Sequence, residues 1–409
     1  MYLCIDMKCF FASVECAERG LNPLTTPLVV ANPERGGGAL CLAVSPFLKQ
    51  QGIKSRGRVY EIPKEIPFII AKPRMKKYME YAVKIHRIFL KYVDAEDIHT
   101  YSIDEAFLYV KEYLHLYSSV AELAVKILKD IEEQLGIIAS CGCAENLFLA
   151  KVSLDLLAKK SPNNFYYLSL EEYFNTIWYH PKLTDIWQIG RGISKRLHNL
   201  GIYTLHDLAL TDKAILIKEF GVIGTDLYEY AWGIDKTTIS DIKSYQPLTK
   251  SFSRGQILFK DYQKYEAWIP LQEMLFLLCM DLHQKKVWTN HLFFYIGYSN
   301  STNSYHKSFG LDCYTDDYFL IKTELKKQFD KIPEGKIRRL GLSFGGLVEQ
   351  NKGYNTLFYQ PNPKVNELCN AIDYIWQRHG KNKLVLGTAI QPESTIYQRN
   401  KQIGGHNSD

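Results

Sequence analysis

The sequence lacks several features that would assign it to a common class. No run of about 18 apolar residues occurs, so we expect no membrane-spanning helix. The first residues, MYLCIDMKCFF, lack a charged segment followed by a long apolar stretch, so we expect no secretory leader. The nine cysteines are scattered, and only Cys141 and Cys143 lie close together, without the second pair of a zinc site. These absences predict reduced thiols in a cytoplasmic protein.

Charge is scarce overall but unevenly distributed along the chain. The 409 residues carry a net charge of only +6, yet residues 34–77 contain ten Lys or Arg and three acids, a net +7. A local basic surface on a nearly neutral chain indicates a polyanionic partner. Hydrophobic residues make up 46% of the chain, which is enough for sizeable cores in several domains.

The first 168 residues show strands interleaved with helices. A short strand at 2–6 precedes a stretch at 11–73 that is rich in Pro and Gly and is typical of a small inserted subdomain. A helix at about 75–93, a hairpin at 101–107 and a helix capped at Ser119 follow. This order predicts an α+β fold with a mixed sheet and helices packed on one face.

The remainder of the chain changes character twice. Residues 169–235 have a helical pattern throughout, and 236–247 are typical of a linker. Residues 248–350 follow the order βαββαβ, which is typical of a ferredoxin-like split unit. The polar tail, 351–409, is weakly patterned, and we expect part of it to be disordered.

Two neighbouring acids, Asp104 and Glu105, lie in the β-prone stretch YSIDEAF (101–107). A lone acidic pair in a turn is usually solvated at a hairpin tip. Here a third acid, Asp6, ends the first predicted strand, and the three carboxylates converge if that strand lies beside the hairpin. Divalent cations would neutralise their repulsion, and hard oxygen ligands suit magnesium. The alternative to a solvated tip is therefore a two-metal phosphoryl-transfer site.

Several motifs in a fixed order resemble those of the Y-family (translesion) DNA polymerases, especially the UmuC-like and UvrX-like bacterial branch. The segments that carry the resemblance are CIDMKCFFASVE (4–15), YSIDEAF, CGCAENLFLAKVSLDLLAKK (141–160), IWQIGRGISKRLHNLGIYTLHDLA (186–209) and LTKSFSRGQILFKDY (248–262). The resemblance covers roughly residues 1–350. It implies a right-hand polymerase with a palm (1–10 and 74–168), fingers (11–73), a thumb with a helix-hairpin-helix (169–235) and a βαββαβ little finger (248–350).

The resemblance implies roles for residues of the catalytic half. Asp6, Asp104 and Glu105 match the metal ligands, with the Met7 carbonyl as an additional one, and two Mg²⁺ ions per active site are expected. Phe11 matches the steric-gate aromatic, whose ring would collide with a ribose 2′-hydroxyl. Without the motif, Phe11 would be interpreted as an ordinary core residue.

The resemblance also implies where the incoming triphosphate is bound, and here the chain departs from many relatives. Lys49 matches one basic residue that contacts the triphosphate. Either Lys159 or Lys160 matches a second, because one extra residue in this segment leaves two possible alignments with the family motif. Lys8 replaces a second acid of the first motif, which is not a core metal ligand. Pro46 stands where many relatives have a phosphate-binding Tyr.

Two glycines, Gly190 and Gly192, precede a predicted helix in the thumb segment. Glycines let backbone amides approach a phosphate, and a helix N-terminus favours its negative charge. We therefore predict a DNA-backbone contact here, with an ordinary helix-helix corner as the alternative.

The last domain and the tail carry further candidate contacts. Alternation in IRRLGLSFGGL (337–347) predicts that the leucines face the helices, and that Arg339 faces outward with Ser343, where relatives often have another Arg. With Arg338, and with Lys250 and Arg254 on the first strand, this predicts a basic open sheet that binds DNA, the alternative being a solvated strand face. In the tail, Leu357 and Phe358 match the end of a sliding-clamp-binding pentapeptide; alternatively, they pack on the body.

The function implied by the resemblance is template-directed DNA synthesis in which dNTPs are added to a primer 3′-hydroxyl, in error-prone translesion synthesis during DNA repair or the SOS response. The expected partners are primer-template DNA, dNTPs and the sliding clamp, and we expect a monomer. One alternative is a catalytically weak or silent factor that binds damaged DNA or the clamp, which Lys8, Pro46 and Ser343 favour. A second alternative is a nucleotidyl cyclase. The predicted thumb and the basic last domain argue against it, because a cyclase does not need to bind duplex DNA.

Overall fold

The chain divides into two compact units. The computed structural model describes residues 1–247, 250–299, 304–350 and 363–409. Unit 1 contains Met1–Tyr245 with Ser408 and Asp409, and unit 2 contains Gln246–Asn407. Within those ranges, no helix is both long and apolar enough to span a membrane.

Unit 1 is an α+β unit with two sheets. Its strands are β1 (Tyr2–Met7), β2 (Leu28–Val30), β3 (Ala43–Val44), β4 (Ile69–Ala71), β5 (Ile98–Thr100), β6 (Glu105–Tyr109), β7 (Ala139–Ala144) and β8 (Phe165–Tyr167). Its helices are α1 (Phe10–Ala17), α2 (Pro46–Gln50), α3 (Met75–Phe89), α4 (Val120–Leu135), α5 (Leu147–Val152), α6 (Leu170–Glu172), α7 (Arg191–Asn199), α8 (Leu205–Leu210), α9 (Lys213–Phe220), α10 (Val222–Ala231) and α11 (Ile239–Ser244).

The larger sheet of unit 1 is mixed, as the sequence predicts, but helices cover both of its faces. Its strand order is β5-β6-β1-β7-β8, with β7 and β8 parallel and the other pairs antiparallel. Consecutive residues of a strand point to opposite faces, and Leu3, Cys4 and Ile5 are all fully buried. The expectation of helices on one face only is therefore wrong, because the central strand is apolar at every position from Leu3 to Ile5 instead of alternating.

One glycine allows α5 to lie directly against this sheet. A Cβ on Gly142 would lie 2.2 Å from the Leu154 backbone nitrogen and 2.4 Å from the Ala150 carbonyl oxygen. The Cys141-Gly142-Cys143 stretch therefore serves packing, and both thiols are buried and free. This close approach brings the end of α5 next to the end of β1.

The segment between β1 and α3 forms a small subdomain with its own core. The sheet order is β3-β2-β4, and the core is assembled mostly from small and β-branched side chains, with Leu48: Val29, Ala31, Ala39, Cys41, Val44, Leu48 and Ile62. Helices α7 to α11 then share one hydrophobic cluster with one face of the larger sheet, including Cys4 and Phe107.

The predicted linker is shorter than the sequence indicates. Residues 239–244 form helix α11, which begins with a capping box between Thr238 and Asp241. Ile239 is buried in the shared cluster, and Lys243 donates a hydrogen bond to the Ala95 carbonyl at 2.6 Å. These contacts attach this part of the segment to unit 1.

Unit 2 contains the predicted βαββαβ order. Its strands are β9 (Phe252–Tyr262), β10 (Val287–Tyr298), β11 (Ser304–Thr315), β12 (Ile337–Gly345), β13 (Val348–Glu349), β14 (Gln402–Ile403) and β15 (His406–Asn407). Its helices are α12 (Lys264–Gln284), α13 (Tyr318–Phe329), α14 (Pro363–His379) and α15 (Ile396–Arg399). The main sheet is antiparallel with order β11-β10-β12-β9, an arrangement that the order of elements alone does not specify.

The part of the tail beyond residue 362 is folded, although its sequence is polar and only weakly patterned. Helix α14 presents Ile372 and Trp376, one turn apart, to the core of unit 2, where Trp376 packs edge-on against Phe276. The Trp376 indole nitrogen donates to the Leu384 carbonyl at 2.8 Å. Leu357 and Phe358, the predicted clamp-binding pair, lie outside the described residues.

Candidate active site

Three acids meet where the central strand of unit 1 adjoins the hairpin. In the antiparallel pairing of β1 with β6, Asp6 lies directly opposite Glu105, so both side chains project from the same face. The Met7 backbone nitrogen donates to the Asp104 carbonyl at 2.9 Å, which holds the third acid beside them. The strand pairing therefore places Asp6, Asp104 and Glu105 at one edge of the sheet. It also places the Met7 peptide there, and the role of the Met7 carbonyl stays a prediction.

Two lysines of the following helix pair with these acids. Lys151 lies 2.6 Å from Glu105 Oε1, and Lys159 lies 3.3 Å from Asp6 Oδ2. Asp155 lies between the two lysines, at 3.0 Å from Lys151 and 2.7 Å from Lys159. Sequence reasoning missed Lys151 and Asp155, although the spacing of four residues from 151 to 155 to 159 predicts side chains on one helical face.

A π-helical turn at Ser153–Leu157 determines which lysine faces the acids. The turn accommodates one more residue than an α-helical turn, and such bulges are frequent at functional sites. Lys159 points toward Asp6, whereas Lys160 is exposed to solvent. Of the two candidates for the second triphosphate contact, only Lys159 therefore lies beside the three acids.

The acids remain under-neutralised despite these lysines. Burial raises the pKa of Asp6 to about 6, because the attraction of Lys159 only partly offsets desolvation and the repulsion from Asp104 and Glu105. Together with Asp155 there are four carboxylates against two ammonium groups, a net charge of −2. The site is thus electrostatically suited to additional cations.

The donor set fits a hard divalent cation, although its side chains are directed elsewhere in this structure. Carboxylate oxygens are the ligands that magnesium prefers. Glu105 accepts hydrogen bonds from Lys151 and from the Cys4 thiol at 3.2 Å, and Asp104 accepts one from the Ser102 hydroxyl at 2.6 Å. Among the described residues, no group of three or more acidic, His or Cys side chains converges on one cation position.

Phe11 lies at the start of α1, the first helix after β1. Cys9 adopts a left-handed conformation (φ 50°) between β1 and α1, and this sharp turn buries Phe10 while leaving Phe11 half-exposed. The Phe11 ring stacks on Tyr78 of α3, with centroids 4.6 Å apart and planes 28° apart. Phe11 is therefore neither a buried core residue nor a freely mobile one.

Lys49 and Pro46 both lie on α2, and Lys8 lies between β1 and α1. Lys49 is exposed on α2, whose first residue is Pro46; Pro is favoured at that position, and its ring is buried. Burial and the charges of Lys49 and Lys159 lower the pKa of Lys8, so these ammonium groups lie within electrostatic range of one another. Lys8 itself donates to the side-chain oxygen of Asn164.

In the helical segment, Gly190 caps α7 and Gly192 lies in its first turn. Within the described residues no side chain caps this helix, and, apart from the adjoining residues and the helix's own backbone, no atom of that part of the chain lies within 4 Å of where a Cβ would stand on either glycine. The backbone there is open to an approaching group. Gly201, at φ +78°, follows the end of the helix in the expected left-handed conformation.

In unit 2, the predicted basic face is only partly basic. Arg254 faces the helices and forms a two-pronged ion pair with Asp281 of α12, at 2.6 and 2.8 Å, which contradicts its predicted outward orientation. Arg338 pairs with Asp261 at 3.4 Å, and Lys250 is exposed just before β9. Arg339 is exposed on the open face and lies opposite Gly297, which leaves room for its side chain.

The open face also carries more apolar surface than the sequence analysis predicts. Strand pairing places Ile257, which is 67% exposed, opposite Arg339, and places Phe293 and Tyr295 on the same face. On the helix side, Leu340, Leu342 and Phe344 are buried as predicted. The face is therefore mixed, with an arginine among aromatic and aliphatic side chains.

Comparisons with known proteins find similarity over almost the whole chain. Residues 5–155 match the impB/mucB/samB family, and residues 249–357 match the C-terminal domain of that family. The "Putative UV-damage repair protein UvrX" of Bacillus subtilis (strain 168) is 31% identical, covering 99% of this chain and 97% of that protein. The "DNA polymerase IV 2" of Halalkalibacterium halodurans is 28% identical, covering 98% of each.

A solved structure shares the fold. The chain is similar to the "Y-family DNA polymerase chimera Dbh-Dpo4(243-245)-Dbh", with a TM-score of 0.64 and 20% sequence identity. The similarity covers 85% of this chain and 99% of that one. The α+β fold predicted from the motifs is thereby confirmed.

Proposed function

The chain belongs to the impB/mucB/samB family of Y-family DNA polymerases, and on that basis we propose that it extends primers across damaged template DNA with two magnesium ions in its active site. The observation that carries the proposal is the pairing of Asp6 opposite Glu105, with Asp104 held beside them. We further propose that it acts as a cytoplasmic monomer, during DNA repair or the SOS response, with the sliding clamp as a partner.

In this proposal, Asp6, Asp104 and Glu105 would hold the metal ions, with the Met7 carbonyl as a further ligand. Bound magnesium would lower the pKa of the primer 3′-hydroxyl and stabilise the charge of the pyrophosphate leaving group. Lys151, which is buried, keeps Glu105 oriented through their 2.6 Å ion pair. No side chain of the protein needs to act as a nucleophile.

Other residues would bind the substrates. Lys49 and Lys159 would contact the triphosphate, and Lys159 would exchange its contact with Asp6 for a phosphate oxygen. Phe11 would exclude the ribose 2′-hydroxyl. The open backbone at Gly190 and Gly192 would contact DNA phosphates, as would Lys250 and Arg339 of unit 2. Arg254 and Arg338 are held by Asp281 and Asp261 and are weaker candidates.

A catalytically silent damaged-DNA-binding factor is the second candidate. It is favoured by the pairing of Asp6 and Glu105 with lysines, and by Lys8 in place of an acid. Incubating the protein with magnesium, dNTPs and a primer on intact or UV-damaged template separates the two. Extension on both templates supports the polymerase, whereas tight DNA binding without extension by any dNTP supports the binding factor.

We predict that Phe11→Ala admits ribonucleotides. Removing the ring relieves a clash with the 2′-hydroxyl, and the relief of a clash of about 1–3 kcal/mol corresponds to roughly 5- to 150-fold in a rate ratio. The measurement is the ratio of kcat/KM for a dNTP to that for the matching rNTP. Incorporation of the dNTP should persist, which serves as the control for folding. If the ratio of kcat/KM values is the same in Phe11→Ala and in wild type, Phe11 is not the residue that excludes ribonucleotides.

A further inference from the structure

A fully buried carboxylate lies one helical turn beyond Phe11. The side chain of Glu15 is 0% exposed and is neutralised on α3 by Arg74, whose guanidinium donates to both carboxylate oxygens at 3.0 and 2.9 Å. Arg19, just beyond the end of α1, donates to the same carboxylate. Burial alone would raise the pKa of Glu15, but these hydrogen bonds, with one from Tyr78, hold it below its ordinary value. The carboxylate is therefore a rigid, charged anchor.

Tyr78 connects this anchor to the Phe11 ring. Its hydroxyl donates to Glu15 Oε1 at 2.8 Å, and its ring, which is fully buried, stacks on Phe11 at 4.6 Å. Phe11 and Glu15 are four residues apart on α1, and Arg74 and Tyr78 are four residues apart where α3 begins, so both pairs lie on facing helical sides. Phe11, Glu15, Arg74 and Tyr78 therefore form one continuous set of contacts between α1 and the start of α3.

We propose that Glu15 and Tyr78 are positioning residues for sugar discrimination: Glu15 fixes Tyr78, and the Tyr78 ring holds Phe11 against the path of a ribose 2′-hydroxyl. The inference rests on the proposed role of Phe11. An aromatic ring excludes a group by contact only if it cannot turn aside, and Phe11 is half-exposed, with the Tyr78 ring stacked on it. Neither Glu15 nor Tyr78 needs to touch the nucleotide.

The stacking determines the size of the effect. An aromatic pair of this kind contributes a free energy that converts to roughly 2- to 12-fold in a rate ratio. Tyr78→Leu should therefore lower the selectivity for dNTP over rNTP by about that factor. Tyr78→Phe keeps the ring but loses the hydrogen bond to Glu15, so it should lower the selectivity by a smaller factor.

The chain offers a matched control on the same helix. Tyr81 is also nearly buried, and its hydroxyl also donates to a glutamate of this region, Glu18, at 2.9 Å. No ring contact joins Tyr81 to Phe11 in the described part of the chain. Tyr81→Leu should disturb the packing between α1 and α3 to a similar extent while leaving sugar selectivity at the wild-type value.

The experiment measures kcat/KM for one dNTP and its rNTP in wild type, Phe11→Ala, Tyr78→Leu, Tyr78→Phe and Tyr81→Leu. Lower selectivity in both Tyr78 variants, with Tyr81→Leu unchanged, supports the inference. If Phe11→Ala lowers the selectivity and the Tyr78 variants do not, the positioning role of Tyr78 and Glu15 is refuted, and the role of Phe11 is retained. If Phe11→Ala has no effect on the selectivity, both roles are refuted. An equal loss in Tyr81→Leu refutes it as well. Should Tyr78→Leu fail to fold, Tyr78→Phe decides, and an unchanged ratio there overturns the role of Glu15.

Discussion

Asp104→Ala is expected to abolish primer extension, by at least roughly 1,000-fold, while DNA binding is retained. Metal ions stabilise transition-state charge by several kcal/mol, and about 4 kcal/mol corresponds to three orders of magnitude in rate. The Asp104 side chain accepts a local hydrogen bond from Ser102, the one side-chain bond it makes to a described residue, and it is half-buried, so its loss should leave the fold intact. The measurement is single-turnover extension of a labelled primer in magnesium.

The control for this variant is Glu96→Gln. Glu96 is 84% exposed in the same unit, near the start of β5, and forms a surface ion pair with Lys243, so its loss should change neither activity nor folding. Affinity for primer-template DNA, measured by fluorescence anisotropy, should be within about twofold of wild type in both variants. If Asp104→Ala retained extension within tenfold of wild type, the metal assignment would be wrong.

Lys151→Met is expected to destabilise unit 1 by about 3–5 kcal/mol, the cost of leaving a buried charge without its partner. The side chains of Lys151 and Glu105 are each only 8% exposed, so solvent cannot replace the lost ion pair. Met has a similar length, so the variant removes charge more than volume. For a unit of this size the unfolding temperature should fall by roughly 10 °C, measured by thermal denaturation without magnesium.

Magnesium gives this prediction a second readout. If Glu105 and its neighbours bind the cation, adding magnesium should raise the unfolding temperature of Lys151→Met more than that of wild type, because the cation replaces the missing positive charge. Lys129→Met, at a lysine that is 70% exposed, is the control and should behave like wild type under both conditions. Equal magnesium effects in all three proteins would contradict metal binding at Glu105.

Much of the site follows from local patterns in the sequence. The apolar strand ending in Asp6 and the β-prone hairpin at Asp104 and Glu105 predict a sheet whose strands could meet, and the pairing of β1 with β6 confirms that they do. The polymerase-like motifs, which occur in a fixed order along the chain, indicate one protein family and therefore one fold. The roles of the individual residues remain predictions, since strand pairing establishes their position and not their chemistry.

Where the sequence analysis differs from the structure, the cause is a contact between residues that are distant in the sequence. In β9, apolar side chains occur at both parities, Leu258 inside and Ile257 and Phe259 outside, so alternation could not orient Arg254. Its partner Asp281 lies 27 residues away on α12. Likewise, the folding of α14 depends on the contact between Trp376 and Phe276, which are distant in the sequence. The polar composition of the tail does not predict this contact.

The folded tail has a consequence for shortened versions of the chain. Helix α14 covers part of the unit 2 core through Ile372 and Trp376, and Trp376 packs against Phe276 of α12. A chain that ended after β13 would leave this part of the core open to solvent, and exposed apolar surface of that kind favours association between molecules. Truncation before α14 should therefore yield a protein that aggregates more readily than the full chain.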